Sequence, residues 1–240
     1  MIALTLAGNS SRFFEKGYKI TKYKLPIGKK TIVESILEFL PKESKILLII
    51  NRKFNDLVFF ENLCLNMGFK DFKVIELDDT RGQLDTLAKG LNKAQGFYKL
   101  NEPLVVYNGD TIRKNLNWKE FPGHGYIEVF ISDGDHWSFV DKLGRVSIVT
   151  EKKRISTYCS SGLYYFISVE ILINNIESYI ETMKDEIYIA PFYNYLISKG
   201  LVIRSGLVSK RKFIFCGTPK EYEYSLSKFI IKNQGDVESV

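Results

Sequence analysis

Apolar and polar residues follow one another along the first half of the chain in blocks that predict alternating strands and helices. The apolar runs 45–50 and 104–107 are continuous, as in parallel strands that are buried on both faces. Stretches 32–40 and 83–94 between such runs predict helices. Further strands are predicted over 2–6 and 72–77, and a further helix over 55–67. We therefore predict an α/β fold, a Rossmann-like three-layer sandwich around a central mixed, mostly parallel sheet.

Two short polar signatures predict helix starts. Thr31 with Glu34 forms the pattern of a capping box, in which each side chain binds the other residue's backbone N–H. Thr218 with Glu221 repeats this pattern, and Pro219 occupies the first helical position, where a missing N–H is tolerated.

The second half differs in character, because its apolar residues alternate with polar ones in short segments. A hairpin is predicted from strands 137–140 and 145–150, joined by a loop over 141–144. The other predicted elements are strands over 126–132, 160–167, 201–207 and 212–215 and helices over 169–183 and 187–199. Since no linker or repeat interrupts the chain, we predict one domain over 1–233, with a smaller β subdomain in the second half, and a frayed tail over 234–240.

Composition narrows the class of protein. The 34 Lys and Arg residues exceed the 28 Asp and Glu residues, giving a net charge of +6 and a pI near 9.0, but no basic run is longer than three residues. We therefore expect a phosphate-binding pocket and no nucleic-acid partner. The 3 cysteines are widely spaced in apolar sequence, as in buried reduced thiols. With no long apolar run and no signal segment, we expect a cytoplasmic protein without a membrane partner.

Three polar stretches follow predicted strands at the edge where ligands of such sheets bind. The loop 8–12 can direct several backbone N–H groups at one anion, and Arg12 adds a cation. The segment 80–83 and Asp110 follow two further strands. A plain strand–helix turn, a helix N-terminus and a helix-capping aspartate are the respective structural alternatives.

An ordered set of motifs resembles the sugar-1-phosphate nucleotidyltransferase family, most closely its short, capsule-locus type. It comprises Leu6-Ala7-Gly8, Ser11-Arg12-Phe13, Lys22-Tyr23-Lys24-Leu25-Pro26, Thr80-Arg81-Gly82-Gln83, Asn108-Gly109-Asp110-Thr111, Glu151-Lys152, Ser161-Gly162-Leu163-Tyr164-Tyr165-Phe166 and Cys216-Gly217-Thr218-Pro219. The resemblance spans about residues 2–225. It implies transfer of a nucleoside monophosphate from an NTP to a phosphorylated acceptor with release of pyrophosphate, and it divides the domain into a nucleotide-binding half (1–116) and an acceptor-binding half (117–233).

The resemblance also implies roles for individual residues. Arg12 would clamp the β and γ phosphates, and Lys22, four residues before Pro26, would bridge the α phosphate and the acceptor phosphate; Lys19 and Lys24 are its rivals. Asp110 would hold Mg²⁺. The implied nucleotide-binding residues are Leu6, Ala7, Gly8, Asn9, Ser10, Ser11, Gly82, Gln83, Asn108 and Gly109. The implied acceptor-binding residues are Glu151, Lys152, Gly162 and Tyr164.

The chain departs from the family pattern at two places. Ser10 stands where the family usually has a further glycine, so the anion-binding loop is expected to be narrower or differently shaped. A second family aspartate, expected near Ile189, is missing. Glu186 is the substitute metal ligand that we predict, and binding of the metal by one carboxylate alone is the alternative.

Other functions stay open at this point. The acceptor could be a phosphorylated non-sugar molecule, with the chain acting as a cytidylyltransferase. A glycosyltransferase would need an Asp-x-Asp metal motif, which Asp133-Gly134-Asp135 matches in spacing alone. A non-catalytic nucleotide-binding domain would have no reason to keep Arg12, Lys22 and Asp110 together. The base of the NTP is not indicated, and a homo-oligomer remains open.

Overall fold

A computed structural model describes residues 1–114 and 121–235. Its helices are α1 (Ser11–Glu15), α2 (Ile32–Glu38), α3 (Leu57–Asn66), α4 (Gln83–Lys93), α5 (Val169–Glu181), α6 (Ile189–Ser198) and α7 (Pro219–Gly235). Its strands are β1 (Ile2–Leu6), β2 (Pro26–Ile27), β3 (Lys30–Thr31), β4 (Ile46–Asn51), β5 (Phe72–Leu77), β6 (Leu104–Asn108), β7 (Thr111–Arg113), β8 (Gly125–Ile131), β9 (Ser138–Val140), β10 (Gly144–Arg145), β11 (Val149–Glu151), β12 (Tyr158–Phe166), β13 (Ile203–Leu207) and β14 (Phe213–Phe215).

The chain divides into two units. The first consists of Met1–Gly8, Pro41–Asn108 and Asn117–Lys210, and the second of Asn9–Leu40, Gly109–Leu116 and Arg211–Val240, as far as these residues are described. One crossing between the units, Asn108 to Gly109, falls inside a motif of the sequence, and another, Gly8 to Asn9, directly follows one.

The first unit contains a large mixed sheet with the strand order β10-β13-β8-β12-β6-β1-β4-β5. Strands β6, β1, β4 and β5 run parallel, and Leu4 of β1 lies between Leu48 and Tyr107 of its neighbours. Every residue of β4 is buried, as its continuous apolar sequence predicts. Side chains of α4, α5 and α6 join those of the sheet in one hydrophobic core. The predicted α/β class with a mixed sheet is confirmed.

The second unit is built around short strand pairs and α2. Strand β7 pairs antiparallel with β14, and α2 packs on β7 and on a 3-10 turn over Lys22–Lys24. The rings of Phe13, Tyr18 and Tyr222 meet edge to face, with centroids 5.4 to 6.2 Å apart. The hydroxyl of Tyr222 donates to the carbonyl of Pro26 at 2.7 Å, so α7 is tied to β2.

Most of the predicted elements are confirmed, and both capping boxes form. The Thr31 side chain accepts from the backbone of Glu34 while the Glu34 carboxylate accepts from the backbone of Thr31. Thr218 and Glu221 exchange the same pair of hydrogen bonds at 3.0 and 3.3 Å.

The predicted hairpin over 137–150 is wrong in one respect. Strand β9 does pair with β11, but the segment between them is longer than predicted, and Gly144 and Arg145 pair instead with β13. The side chain of Asp141 accounts for the longer connection. It accepts from the backbone N–H groups of Ser147 and Ile148 at 3.0 and 3.3 Å and so closes a wide loop.

Helix α7 continues to Gly235, and residues 236–240 of the predicted frayed tail lie outside the described residues. Among the helices of the described residues, none has the length and apolar composition needed to cross a membrane.

Candidate active site

The predicted site residues fall into the two units. Those in the first unit are Leu6, Ala7, Gly8, Gly82, Gln83, Asn108, Glu151, Lys152, Gly162, Tyr164 and Glu186. Those in the second unit are Asn9, Ser10, Ser11, Arg12, Lys22, Gly109 and Asp110.

In the second unit, Lys22 and Asp110 form an ion pair. The Nζ atom of Lys22 lies 2.5 Å from Oδ2 of Asp110, although the two residues are 88 positions apart. Lys22 opens the 3-10 turn, and its backbone N–H donates to the Ser10 hydroxyl at 3.1 Å. Asp110 is fixed by its own carbonyl, which accepts from the backbone N–H of Cys216 at 2.8 Å.

Ser10 has a left-handed backbone, with φ 53° and ψ 21°. Glycine adopts this conformation without strain, whereas other residues lose about 1–2 kcal/mol in it. Ser10 thus replaces the family glycine at a position whose backbone conformation favours glycine. Ser10 keeps the conformation and uses its side chain to hold Lys22.

Arg12 is the second residue of α1, two positions after the left-handed Ser10. Its side chain is exposed and makes no hydrogen bond or ion pair with the described residues. An exposed guanidinium beside an N-terminal helix turn can bind an anion without first breaking another contact.

The pair Lys22–Asp110 adjoins a second carboxylate. A Cβ atom placed on Gly217 would lie 3.3 Å from Oδ2 of Asp110 and 3.3 Å from Oε2 of Glu221. Burial raises the pKa of the neighbouring Cys216 thiol, and the carboxylates of Asp110 and Glu221 raise it further, while Lys22 opposes them. Glu221 was predicted as a helix cap alone, since nothing in its local sequence indicates that it lies near Asp110.

In the first unit, Gln83 belongs to a polar network at the strand ends. Its Nε2 atom donates to the Thr5 hydroxyl at 3.1 Å and to Oδ1 of Asn108 at 2.5 Å. The side chain of Asn108 fills the space beside Gly162, since a Cβ at Gly162 would lie 2.3 Å from Nδ2 of Asn108. Gly162 has φ +86° and interrupts the pairing of β12 with β8. The sequence-predicted residues Gln83, Asn108 and Gly162 are thus in contact.

Gly82, the residue before α4, is held against the segment that carries Glu186. A Cβ at Gly82 would lie 2.7 Å from the carbonyl oxygen of Ile187, and the backbone N–H of Leu84 donates to that oxygen at 3.0 Å. With φ +121° as well, this position accepts glycine alone without strain.

A third cluster joins Lys152 and Glu186 through Tyr188. The ammonium group of Lys152 donates to the Tyr188 hydroxyl, and that hydroxyl donates to the Glu186 carboxylate. The Lys152 ammonium also lies 4.5 Å from the centroid of the Tyr188 ring. Sequence reasoning missed Tyr188, although it singled out the segment in which this residue lies.

Glu151, the last residue of β11, directly precedes Lys152 of this cluster. Its carboxylate accepts from the Ser138 hydroxyl of β9. Burial raises the pKa of the Glu151 carboxyl; the Ser138 hydrogen bond and Lys152 oppose this, while Glu186 adds to it. Tyr164, by contrast, is buried in the hydrophobic core, where its ring lies 6.1 Å from that of Tyr193.

No group of three or more histidine, cysteine or carboxylate side chains able to hold a metal ion occurs among the described residues. In the Asp133-Gly134-Asp135 motif, Oδ1 of Asp135 accepts from Nε of Arg154 at 2.9 Å. This ion pair competes with any role of that motif in metal binding.

Thr5 and Asn108 contact Gln83 near the carboxyl ends of the parallel strands β1 and β6, and ligands of open α/β sheets bind at that edge. The chain is 35% identical to a nucleoside-diphosphate-sugar pyrophosphorylase from Vibrio cholerae RC9, with a TM-score of 0.86 over 95% of this chain and 100% of the other. The chain belongs to the nucleoside-diphosphate-sugar pyrophosphorylases, a group of the sugar-1-phosphate nucleotidyltransferase family.

More distant structures share the fold. A protein from Bacillus anthracis assigned as a glucose-1-phosphate thymidylyltransferase is 19% identical, with a TM-score of 0.73 over 95% of this chain and 94% of the other. The inositol-1-phosphate CTP transferase from T. maritima is 14% identical, with a TM-score of 0.72 over 95% and 94% of the two chains. No protein-family model matches the sequence, and no curated protein matches it.

Proposed function

We propose that the protein transfers a nucleoside monophosphate from an NTP to a phosphorylated acceptor and releases pyrophosphate. The single observation that supports this best is the Lys22–Asp110 pair, which joins two motifs of the family across 88 positions. A sugar 1-phosphate is the acceptor class that the family indicates. Membership of this family also favours nucleotidyl transfer over glycosyl transfer or a purely binding role.

The reaction needs two negatively charged groups to meet. An oxygen of the acceptor phosphate attacks the α phosphorus of the NTP, the new P–O bond forms, and the bond from the α phosphorus to the bridging oxygen breaks. The electron pair of that bond leaves with pyrophosphate. Positioning and cancellation of charge are therefore the main contributions that a protein can make.

Lys22 and Arg12 are the cations that we assign to this task. The Lys22 ammonium contacts the α phosphate and the acceptor phosphate, and so reduces their repulsion. Arg12, whose guanidinium is exposed, contacts the β and γ phosphates and stabilises the departing pyrophosphate. Backbone N–H groups of Asn9, Ser10 and Ser11 complete the phosphate contacts.

Gln83 is the residue that we assign to the base. The Nε2 atom of Gln83 already donates to Thr5 and Asn108, and these two hydrogen bonds fix the plane of the amide. The side-chain carbonyl oxygen is therefore the atom of Gln83 that we assign to contact with the base. Gly82 allows the backbone to approach the base closely. Leu6, Ala7, Gly8 and Gly109 complete the proposed nucleotide contacts.

Lys152 is the acceptor ligand that the described contacts support most directly. Its ammonium is held over Tyr188, where a phosphate or hydroxyl of the acceptor could replace one of its contacts. Glu151 and Gly162 are the further acceptor contacts that we propose. Tyr164, which is buried in the core, would act by shaping the strand beneath them.

Asp110 is the residue that we assign to a divalent cation, because Mg²⁺ prefers oxygen ligands such as carboxylates. Oxygens of the substrate phosphates would complete the coordination shell of the ion. Mg²⁺ would supply charge neutralisation on the phosphates. The sequence offers Glu186 as a second carboxylate.

The test is acceptor-dependent pyrophosphate release. The protein is incubated with Mg²⁺, each of CTP, UTP, GTP and dTTP, and a panel of sugar 1-phosphates extended by inositol 1-phosphate. We expect release with at least one pair, and no release without the acceptor. Absence of pyrophosphate release across the whole panel would contradict the proposal.

We also propose a role in precursor synthesis for capsule or other surface glycans, on the basis of the short family type that the sequence resembles.

A further inference from the structure

Glu186 belongs, by its contacts, to the acceptor side of the first unit. Its carboxylate accepts from the Tyr188 hydroxyl, and that hydroxyl accepts from the Lys152 ammonium group. The sequence suggested Glu186 as a metal ligand, but these hydrogen bonds connect it to Lys152, the proposed acceptor ligand. Its contacts therefore point to acceptor binding.

We propose that Glu186 is a positioning residue: it orients the Tyr188 hydroxyl and, through it, holds Lys152 in place for the acceptor. This inference rests on the proposed function. Three features of the first unit support it: the anchoring of the segment that carries Glu186, the backbone conformation of Lys152, and the tyrosine that stands between the two charged groups.

The segment that carries Glu186 is anchored to the start of α4. The backbone N–H of Ile187 donates to the carbonyl of Arg81 at 2.6 Å, and the Ile187 carbonyl accepts from the N–H of Leu84 at 3.0 Å. Beside these bonds, Cγ of Glu186 lies 3.0 Å from the point where a Gly82 Cβ would stand. The backbone next to Glu186 and the stem of its side chain are therefore fixed before any substrate binds.

Lys152, at the other end of this chain of hydrogen bonds, has a strained backbone. Its φ is +53°, in the left-handed range that favours glycine. Its N–H donates to the carbonyl of Trp137 at 2.9 Å, while its ammonium group contacts Tyr188. Strain of this kind persists only where the surrounding contacts impose it, and it is concentrated at functional sites. The fold thus fixes both the backbone and the ammonium group of Lys152.

Tyr188 connects the two charged groups without a direct ion pair. A direct contact between Glu186 and Lys152 would neutralise the ammonium group, whereas a hydroxyl between them orients the group and leaves its charge for a substrate. The hydroxyl accepts from a cation and donates to an anion, and such chains of hydrogen bonds strengthen one another. Loss of the carboxylate should therefore loosen the hold of Tyr188 on Lys152.

The first measurement reports the position of Lys152 without any substrate. In protein labelled with ¹³C at the lysine Cε atoms, the NMR signal of Lys152 is assigned by its loss in Lys152→Arg. Because the ammonium group lies 4.5 Å from the centroid of the Tyr188 ring, the ring current shifts this signal away from the position of solvated lysines.

The second measurement is steady-state kinetics with the base and acceptor that support pyrophosphate release, and it gives kcat and the KM of each substrate. The variants are Glu186→Ala, Glu186→Gln, Tyr188→Phe and the double variant Glu186→Ala/Tyr188→Phe. Glutamine keeps a side-chain oxygen that can accept from the Tyr188 hydroxyl, and alanine does not. Asp185→Asn, which removes the exposed neighbouring carboxylate, is the control. Thermal unfolding checks that each variant is folded.

We expect Glu186→Ala to move the Lys152 signal towards the position of solvated lysines. It should also raise the acceptor KM about tenfold and leave the NTP KM unchanged, since a hydrogen bond in a charged network is lost. Glu186→Gln should have a smaller effect and Asp185→Asn none. In the Tyr188→Phe background, Glu186→Ala should cause no further change, because Glu186 acts through the hydroxyl.

An unmoved Lys152 signal in Glu186→Ala overturns the proposal. An effect of Glu186→Ala that is as large without the Tyr188 hydroxyl as with it does so too, as does an equal rise of the NTP KM, which a metal ligand would produce. The NMR measurement involves no turnover. Absence of pyrophosphate release would therefore contradict the proposed function, while the Lys152 signal would still decide the role of Glu186.

Discussion

The ammonium group of Lys22 lies 2.5 Å from Oδ2 of Asp110, with 25% and 20% of the two side chains exposed. These are the residues that we assign to the reacting phosphates and to the metal. In the absence of substrate they neutralise each other, so that neither charge is left without a partner. Binding of NTP and Mg²⁺ would exchange this contact for contacts of each residue with the substrate.

Lys22→Ala and Asp110→Asn should each reduce turnover severely. Loss of one group that stabilises transition-state charge lowers kcat about 10²- to 10³-fold. Stability should change little, because a partly exposed ion pair contributes about 0–1 kcal/mol. Pyrophosphate release and thermal unfolding measure the two effects. Lys19→Ala, a change of an exposed lysine of the same loop, is the control. An active Lys22→Ala enzyme would refute the role of Lys22.

Gly162→Ala should weaken nucleotide binding through Asn108. The new methyl group would lie 2.3 Å from Nδ2 of Asn108, so this side chain must move and its contact with Gln83 is lost. Gly144→Ala is the matched control, since Gly144 also has a positive φ, +78°, but nothing within 4 Å of its Cβ position.

Both variants should lose about 1–2 kcal/mol of stability from the left-handed backbone. Only Gly162→Ala should lose more stability than this, because its methyl group also displaces Asn108, and only this variant should show a raised KM for the NTP. Nucleotide binding as tight as that of the unmodified protein would show that the Asn108–Gln83 contact does not matter for the base.

Tyr188→Phe should impair use of the acceptor and spare use of the NTP. The change keeps the ring beneath Lys152 and removes the hydroxyl that connects Lys152 to Glu186. A hydrogen bond to a charged group is worth about 1.5 kcal/mol or more, so the acceptor KM should rise about tenfold. Tyr224→Phe, at an exposed position of α7, is the control. Equal changes in both KM values would speak against a specific role in acceptor binding.

Glu151 should make stability depend on pH. Burial raises the pKa of its carboxyl above the unfolded value, 4.5, so the folded state binds the proton more tightly. The associated stability is fully present below that value and is lost as the pH rises through the folded pKa. Glu151→Gln does not titrate, so in urea unfolding it should gain stability relative to the unmodified protein over the pH range above 4.5. A constant difference across this range would contradict the expectation.

Local signals account for much of the fold. The sequence 72–77 forms β5 with the predicted bounds, and the apolar run at 45–50 becomes the fully buried β4. Capping boxes at Thr31 and Thr218 also form, because their hydrogen bonds join residues three positions apart.

Contacts between distant segments could not be predicted in this way. Gly144 and Arg145 pair with residues some sixty positions later, a choice that the local pattern does not contain. The same holds for the site: Lys152 meets Tyr188 and Asp110 adjoins Glu221 only because the fold brings separate motifs together. Sequence could identify Asp110, Lys152 and Glu186 as candidates but not their neighbours.

The most direct test of nucleotidyl transfer follows the phosphorus atoms of the NTP. With the base and acceptor that support pyrophosphate release, the NTP is labelled with ³²P at the α or at the γ position. We predict that the α label enters a product that also contains the acceptor and that the γ label appears in pyrophosphate. Appearance of the γ label in free phosphate, or of the α label in free nucleotide alone, would contradict the account.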